Sequence, residues 1–163
     1  VEDYLITKIQ PFIHQEWEIL GLAMEKGIIH NELNTKPFLS PSDFGIHNSL
    51  VEKSGKISFI DFEYFGLDDP AKFICDTAIH PGSNWTNYER ERWFTAMFNQ
   101  FGEEVMKRAK MCLPLYTLNW VLIMLNRIVK ERIYHFNFTP ISQSHFEKVD
   151  NFFKQNYLTL QTS

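Results

Sequence analysis

The stretch Ser40-Pro41-Ser42-Asp43-Phe44-Gly45-Ile46-His47-Asn48, followed by Ser49 to Lys53, Ser54-Gly55 and Lys56 to Phe62, carries the decisive pattern of the chain. Pro41 and Gly45 interrupt regular structure, so the first nine residues read as a loop. Two short runs of strand-forming residues then flank Ser54-Gly55, which predicts a small β-hairpin. Asp43 and Asn48 stand five positions apart in the loop before the first strand, and the apolar run Ile57-Ser58-Phe59-Ile60 ends in Asp61. A hairpin brings the start of its first strand to the end of its second. Asn48 and Asp61 are therefore expected to meet, with Asp43 close by.

Outward from this segment the pattern is helical. Leu5, Ile9, Phe12, Ile13, Trp17, Leu20 and Met24 recur at three- and four-residue steps, one buried stripe of a helix over Tyr4 to Met24 that Pro11 can kink. Gly27 to Pro41 is rich in turn formers and reads as loop. After the hairpin, Asp69 precedes Pro70 as an N-cap precedes a proline at the first helical position, so a helix is expected over Ala71 to His80, stopped by Pro81. Thr86 with Glu89, and Ser144 with Glu147, have capping-box spacing ahead of apolar stripes. Between them a long or Pro114-broken helix is expected over Val105 to Ile133. The class is α+β, mainly helical, with one hairpin as the only β element and residues 1–163 forming a single lobe.

Composition narrows the function. The 163 residues are 44% hydrophobic and 15% aromatic, enough for a continuous core. Sixteen basic and twenty acidic side chains give a net charge of −4, which offers no general field for nucleic acid or an anionic membrane. Cys75 and Cys112 form no CxxC pair, so neither a zinc ribbon nor a disulfide framework is indicated and a reducing cytoplasm is expected. The chain starts with acidic residues and without an initiator methionine, the expected look of a piece of something longer.

Phosphoryl transfer needs an aspartate to orient the attacking hydroxyl and hard oxygen ligands for magnesium on the phosphates. Asp43 suits the first role; Asn48 and Asp61 suit the second. The pattern Asp43-x-x-x-x-Asn48, then Ile60-Asp61-Phe62-Glu63-Tyr64, then Gly66-Leu67-Asp68-Asp69-Pro70, resembles the aminoglycoside phosphotransferase and choline kinase group. The likeness runs from Ser40 to about His80. It implies the carboxy-terminal lobe of a protein-kinase-like fold, with Asp43 as catalytic base and Asn48 and Asp61 as magnesium ligands. It implies ATP and Mg²⁺ as cofactors and a small hydroxyl-bearing acceptor: an aminoglycoside, a sugar or an amino alcohol. Pro41 replaces the family's histidine two positions before the aspartate. A glycine-rich nucleotide-covering lobe is missing, so the isolated lobe is expected to be inactive alone and to self-associate through apolar surface near the first helix and hairpin.

Other polar residues are open to two readings. Glu63 and His47 are candidates for contact with substrate or for support of the site, although a solvent-facing glutamate and a packed histidine are the plainer alternatives. Asp69 is a structural helix cap. Asp43 with His47, and Asp76 with His80, form two i, i+4 pairs that could bind a transition metal in a hydrolase if each lay on a helix, which Pro41 and Gly45 oppose for the first pair. A non-catalytic kinase-like interaction module is the third alternative.

Overall fold

In the computed structural model the described residues are 2–25, 36–135 and 140–157. In chain order they form α1 (Glu2–Tyr4), a π-helical turn (Leu5–Ile9), α2 (Gln10–Glu25), β1 (Phe38–Ser40), a 3-10 turn (Ile46–Asn48), β2 (Ser49–Val51), β3 (Ile57–Phe59), β4 (Gly66–Asp68), α3 (Pro70–Ile79), α4 (Asn87–His135) and α5 (Pro140–Asn156). The mainly helical α+β class expected from the sequence is present. The loop expected over Gly27 to Thr35 lies outside the described residues, as does the side chain of Met24.

The chain divides into two compact units, residues 1–29 with 114–163, and residues 30–113. In the first, Gln10 donates its N–H to the Leu5 carbonyl five residues back, widening the turn ahead of Pro11. Proline cannot donate and crowds the preceding turn, so the widening takes the place of a sharp kink. Phe12 packs its ring on Phe153 and Tyr157, and Tyr4 packs on Phe146. The buried stripe of α2 differs from expectation at one position: Trp17 is 73% exposed, whereas Glu16 is buried and accepts the Tyr157 hydroxyl at 2.5 Å. A carboxylate with a phenol to bind can occupy the core. The α5 stripe Phe146, Val149, Phe153, Tyr157 runs inward as expected, but the helix starts at Pro140, a turn before the Ser144–Glu147 signal.

The second unit holds two small antiparallel sheets. β2 pairs with β3 in the expected hairpin, in register Ser49 with Phe59 and Val51 with Ile57, and Gly55 turns the chain at φ 84°. β1 pairs with β4, Phe38 opposite Asp68 and Ser40 opposite Gly66, so the hairpin is one of two strand pairs. Helix α3 is almost wholly buried, with Ala71, Ile74, Cys75 and Ala78 at or near zero exposure. Phe73 meets Phe38, Phe44 and Trp93, and the Trp93 indole donates to the Ile74 carbonyl at 3.0 Å. The Thr86–Glu89 box forms as expected: Thr86 N–H donates to Glu89 at 2.8 Å and Glu89 N–H to the Thr86 hydroxyl at 3.3 Å. Pro114 is carried inside α4. Of the two alternatives for Val105 to Ile133 the long helix is present; an interruption falls before it at Gly102, with φ 81° and ψ 178°, a conformation that costs glycine little for want of a Cβ. Leu39, Val51, Ile57, Tyr64 and Leu67 leave their side chains exposed on the strand pairs and the following turn.

Candidate functional site

Two strained residues set the backbone of the site. Asp43 donates its N–H to the Pro41 carbonyl at 2.8 Å, closing a three-residue turn around Ser42, whose φ is 65°. Such turns at positive φ are uncommon and strained for a residue with a Cβ. Fully buried Ser40 helps to hold the turn, its hydroxyl accepting the Ser42 N–H at 2.9 Å. Phe44 fastens the loop to the unit, its ring 4.6 Å from Phe59 on β3 and also against Phe73 and Trp93. Asp61, the second strained residue, has φ 64°.

Asn48 links the two. Its side-chain amide donates to the Asp43 backbone carbonyl at 2.9 Å, which orients the amide and leaves its carbonyl oxygen to accept. Its own backbone carbonyl accepts the Ile60 N–H at 2.9 Å, one step beyond the β2–β3 register. Asn48 thus stands opposite Ile60 at the mouth of the hairpin, and Asp61 is the next residue along. The exposed Tyr64 senses both acids: its hydroxyl is raised above the usual tyrosine range by a hydrogen bond and charge from Glu63, then by the charges of Asp61 and Asp43. Glu63 itself is exposed.

His47 and His80 complete the cluster. His47 Nε2 lies 2.9 Å from Asp43 Oδ1, and His80 Nε2 lies 3.5 Å from the same oxygen. The two rings stack at 3.8 Å with 9° between their planes. Burial of Asp43 by itself raises its carboxyl, but the His47 hydrogen bond and the charges of His47 and His80 prevail and hold it below the ordinary value. His80 is pushed down to about 4 by burial first and His47 second, so it is neutral near pH 7. Gly45 permits this packing, since a methyl there would stand 2.6 Å from the His47 ring.

Asp76 and His80, weighed from the sequence as half of an alternative metal site, contact Lys72 and Asp43 respectively. Asp76 sits 3.3 Å from Lys72, which also binds Asp68 at 3.0 Å, while His80 turns to Asp43. The i, i+4 contact between Asp43 and His47 forms without a helix, through the 3-10 turn. Asp43, His47 and His80 offer ligand atoms within 4.8 Å of one another. Against ligation by His80, the Gly82 N–H donates to His80 Nδ1 at 3.0 Å, which puts the ring proton of neutral His80 on Nε2, the nitrogen a metal would need.

Asp69 is the cap read from the sequence, accepting the Ala71 N–H at 2.8 Å, and its carboxylate is also gripped by both terminal nitrogens of Arg108. No residue pattern announced Arg108, which comes from a distant turn of the chain; the sequence marks His80 through its i, i+4 spacing from Asp76, not as a neighbour of Asp43. Comparison with models of protein families, with curated proteins and with solved structures found no match to the chain.

Proposed function

We propose that the chain supplies the catalytic and metal-binding part of an ATP- and magnesium-dependent phosphotransferase acting on a hydroxyl of a small polar molecule. The observation that carries this is the Asn48 side-chain bond to the Asp43 backbone carbonyl, which ties the Asp43 loop to the mouth of the hairpin, where Asp61 follows Ile60. Asn48 and Asp61 would hold the magnesium: both offer hard oxygens, the donor type it prefers, and a site completed by water and phosphate needs few protein ligands. When bound, the ion would neutralise charge on the transferred phosphoryl group.

The residues of the chain divide the remaining work. Asp43, kept ionised by its neighbours, accepts the proton of the acceptor hydroxyl and aims the hydroxyl oxygen at phosphorus. Both imidazole Nε2 atoms lie on the Oδ1 side of the carboxylate, at 2.9 Å for His47 and 3.5 Å for His80. Exposure of 39% for the Asp43 side chain is compatible with access by a small alcohol. Glu63 and Tyr64, exposed beside Asp61, favour an acceptor that is cationic or rich in hydroxyls.

The test is magnesium-dependent ATP consumption by the full-length protein with a panel of amino alcohols, sugars and aminoglycosides. Acceptor-stimulated turnover is expected, and Asp43→Asn should lower kcat by about 10²- to 10⁴-fold with nucleotide affinity little changed. A variant as fast as the wild type would remove Asp43 from the mechanism. No ATP binding at all would favour a non-catalytic module.

A further inference from the structure

We infer that His80 is a positioning residue for Asp43, its Nε2 facing the carboxylate electrostatically at 3.5 Å while His47 binds the same oxygen at 2.9 Å; this rests on the phosphotransfer reading above. His80 caps the C-terminal end of α3, far along the chain from the Asp43 loop, so the contact is made by tertiary packing. Its tautomer follows from one bond. The Gly82 N–H is a donor and has no other role at His80 Nδ1, 3.0 Å away, so that nitrogen carries the lone pair and Nε2 the proton. Nε2 then faces Asp43 Oδ1 at 3.5 Å, a longer, electrostatic partner to the 2.9 Å bond from His47.

The two rings act as one support. Nearly parallel imidazoles 3.8 Å apart cannot both carry charge at low cost, and burial together with His47 holds His80 as the neutral one. Close backbone confines it: a methyl on Gly82 would stand 3.1 Å from His80 Nδ1 and 3.3 Å from the His47 Cβ, and Gly45 backs the His47 ring from the other side. The side chains of His47 and His80 are 18% and 15% exposed, against 39% for Asp43, so the support is covered and the supported group is open. The His47 bond and the His80 charge contact both fall on Oδ1 and together restrict the Asp43 rotamer. His80 acts on the reacting atoms only through Asp43, so its loss should appear in kcat and scarcely in the acceptor KM.

The experiment pairs two substitutions with a spectrum, all in the full-length protein. His80→Phe keeps a ring to stack on His47 and loses the N–H facing Asp43; kcat should fall about five-fold, the effect of one weak electrostatic contact to a charged group, with acceptor KM within about two-fold. His80→Gln returns an N–H near the Nε2 position and should recover most of that loss. Unchanged kcat in His80→Phe, or a His80→Gln variant as slow as it, would assign His80 to packing alone and overturn the proposal. The imidazole ¹⁵N spectrum of the wild type decides the tautomer without reference to activity or to the folding of any variant. A proton on His80 Nε2 is expected; a proton on Nδ1, or loss of the Nε2 proton on adding one equivalent of Zn²⁺, would make the cluster something other than a carboxylate support. A wild type without acceptor-dependent turnover would sink the phosphotransfer reading, and the ring spectrum would still decide whether His80 donates toward Asp43.

Discussion

At the scale of single residues, the site separates two kinds of acid. Asp43 is surrounded by donors that keep it charged, whereas Asp61 is exposed and held at φ 64°, a conformation that costs a residue with a Cβ about 1–2 kcal/mol. Strain of that kind persists where surrounding structure enforces it and gathers at ligand-binding positions. If Asp61 is a magnesium ligand, Asp61→Ala should abolish the magnesium dependence of nucleotide binding, read by calorimetry with and without the ion, and leave the fold intact because no core contact is lost. Retained dependence would leave Asn48 without its partner ligand. The roles of Asp43, Asn48 and Asp61 could be proposed from sequence because they depend on short spacings and one hairpin. His80 could not be joined to them that way. Its i−4 neighbour Asp76 offered a nearer partner on paper, but Lys72, one turn earlier on α3, bridges Asp76 and Asp68 of β4.

At the scale of elements, α3 connects the cap to the cluster. Asp69 fixes its first turn through the Ala71 N–H and accepts Arg108 from α4, and His80 closes its other end. Asp69→Ala should remove an N-cap worth about 1 kcal/mol together with the carboxylate that Arg108 grips, a total of about 2–3 kcal/mol for a partly exposed pair. Asp69→Asn keeps an acceptor for the cap and should cost less. Urea unfolding of the three proteins checks the order, and equal stability of Asp69→Ala and the wild type would reduce Asp69 to a surface residue. Caps and the hairpin were legible because their signals are local. The β1–β4 pair was not: each strand is three residues long, and Phe38-Leu39-Ser40 offers no alternation long enough to read. Pro114 left open whether the helix over Val105 to Ile133 is continuous, which it is; the interruption precedes that span, at Gly102, where glycine adopts φ 81° without a Cβ penalty.

At the scale of the whole molecule, the His80 environment should make stability depend on pH. In the unfolded chain His80 takes up a proton near 6.5, whereas in the folded protein burial and the adjoining His47 ring hold it neutral down to about 4, with Asp43 opposing them in part. Between those values the unfolded state binds more protons, so stability falls as pH drops from about 6.5 toward 4 and levels off below. The lowered carboxyl of Asp43 has the same sign at more acidic pH: its contribution is present above the usual aspartate value and fades as pH falls through the depressed one. The informative quantity is a difference between proteins. The urea midpoint of the wild type should drop more between pH 7 and pH 5 than that of His80→Phe, because the variant has no imidazole at 80 to protonate on unfolding. Parallel pH profiles would mean that His80 is as easily protonated in the folded chain as in the unfolded one, and that the covered stack on Asp43 opens in solution.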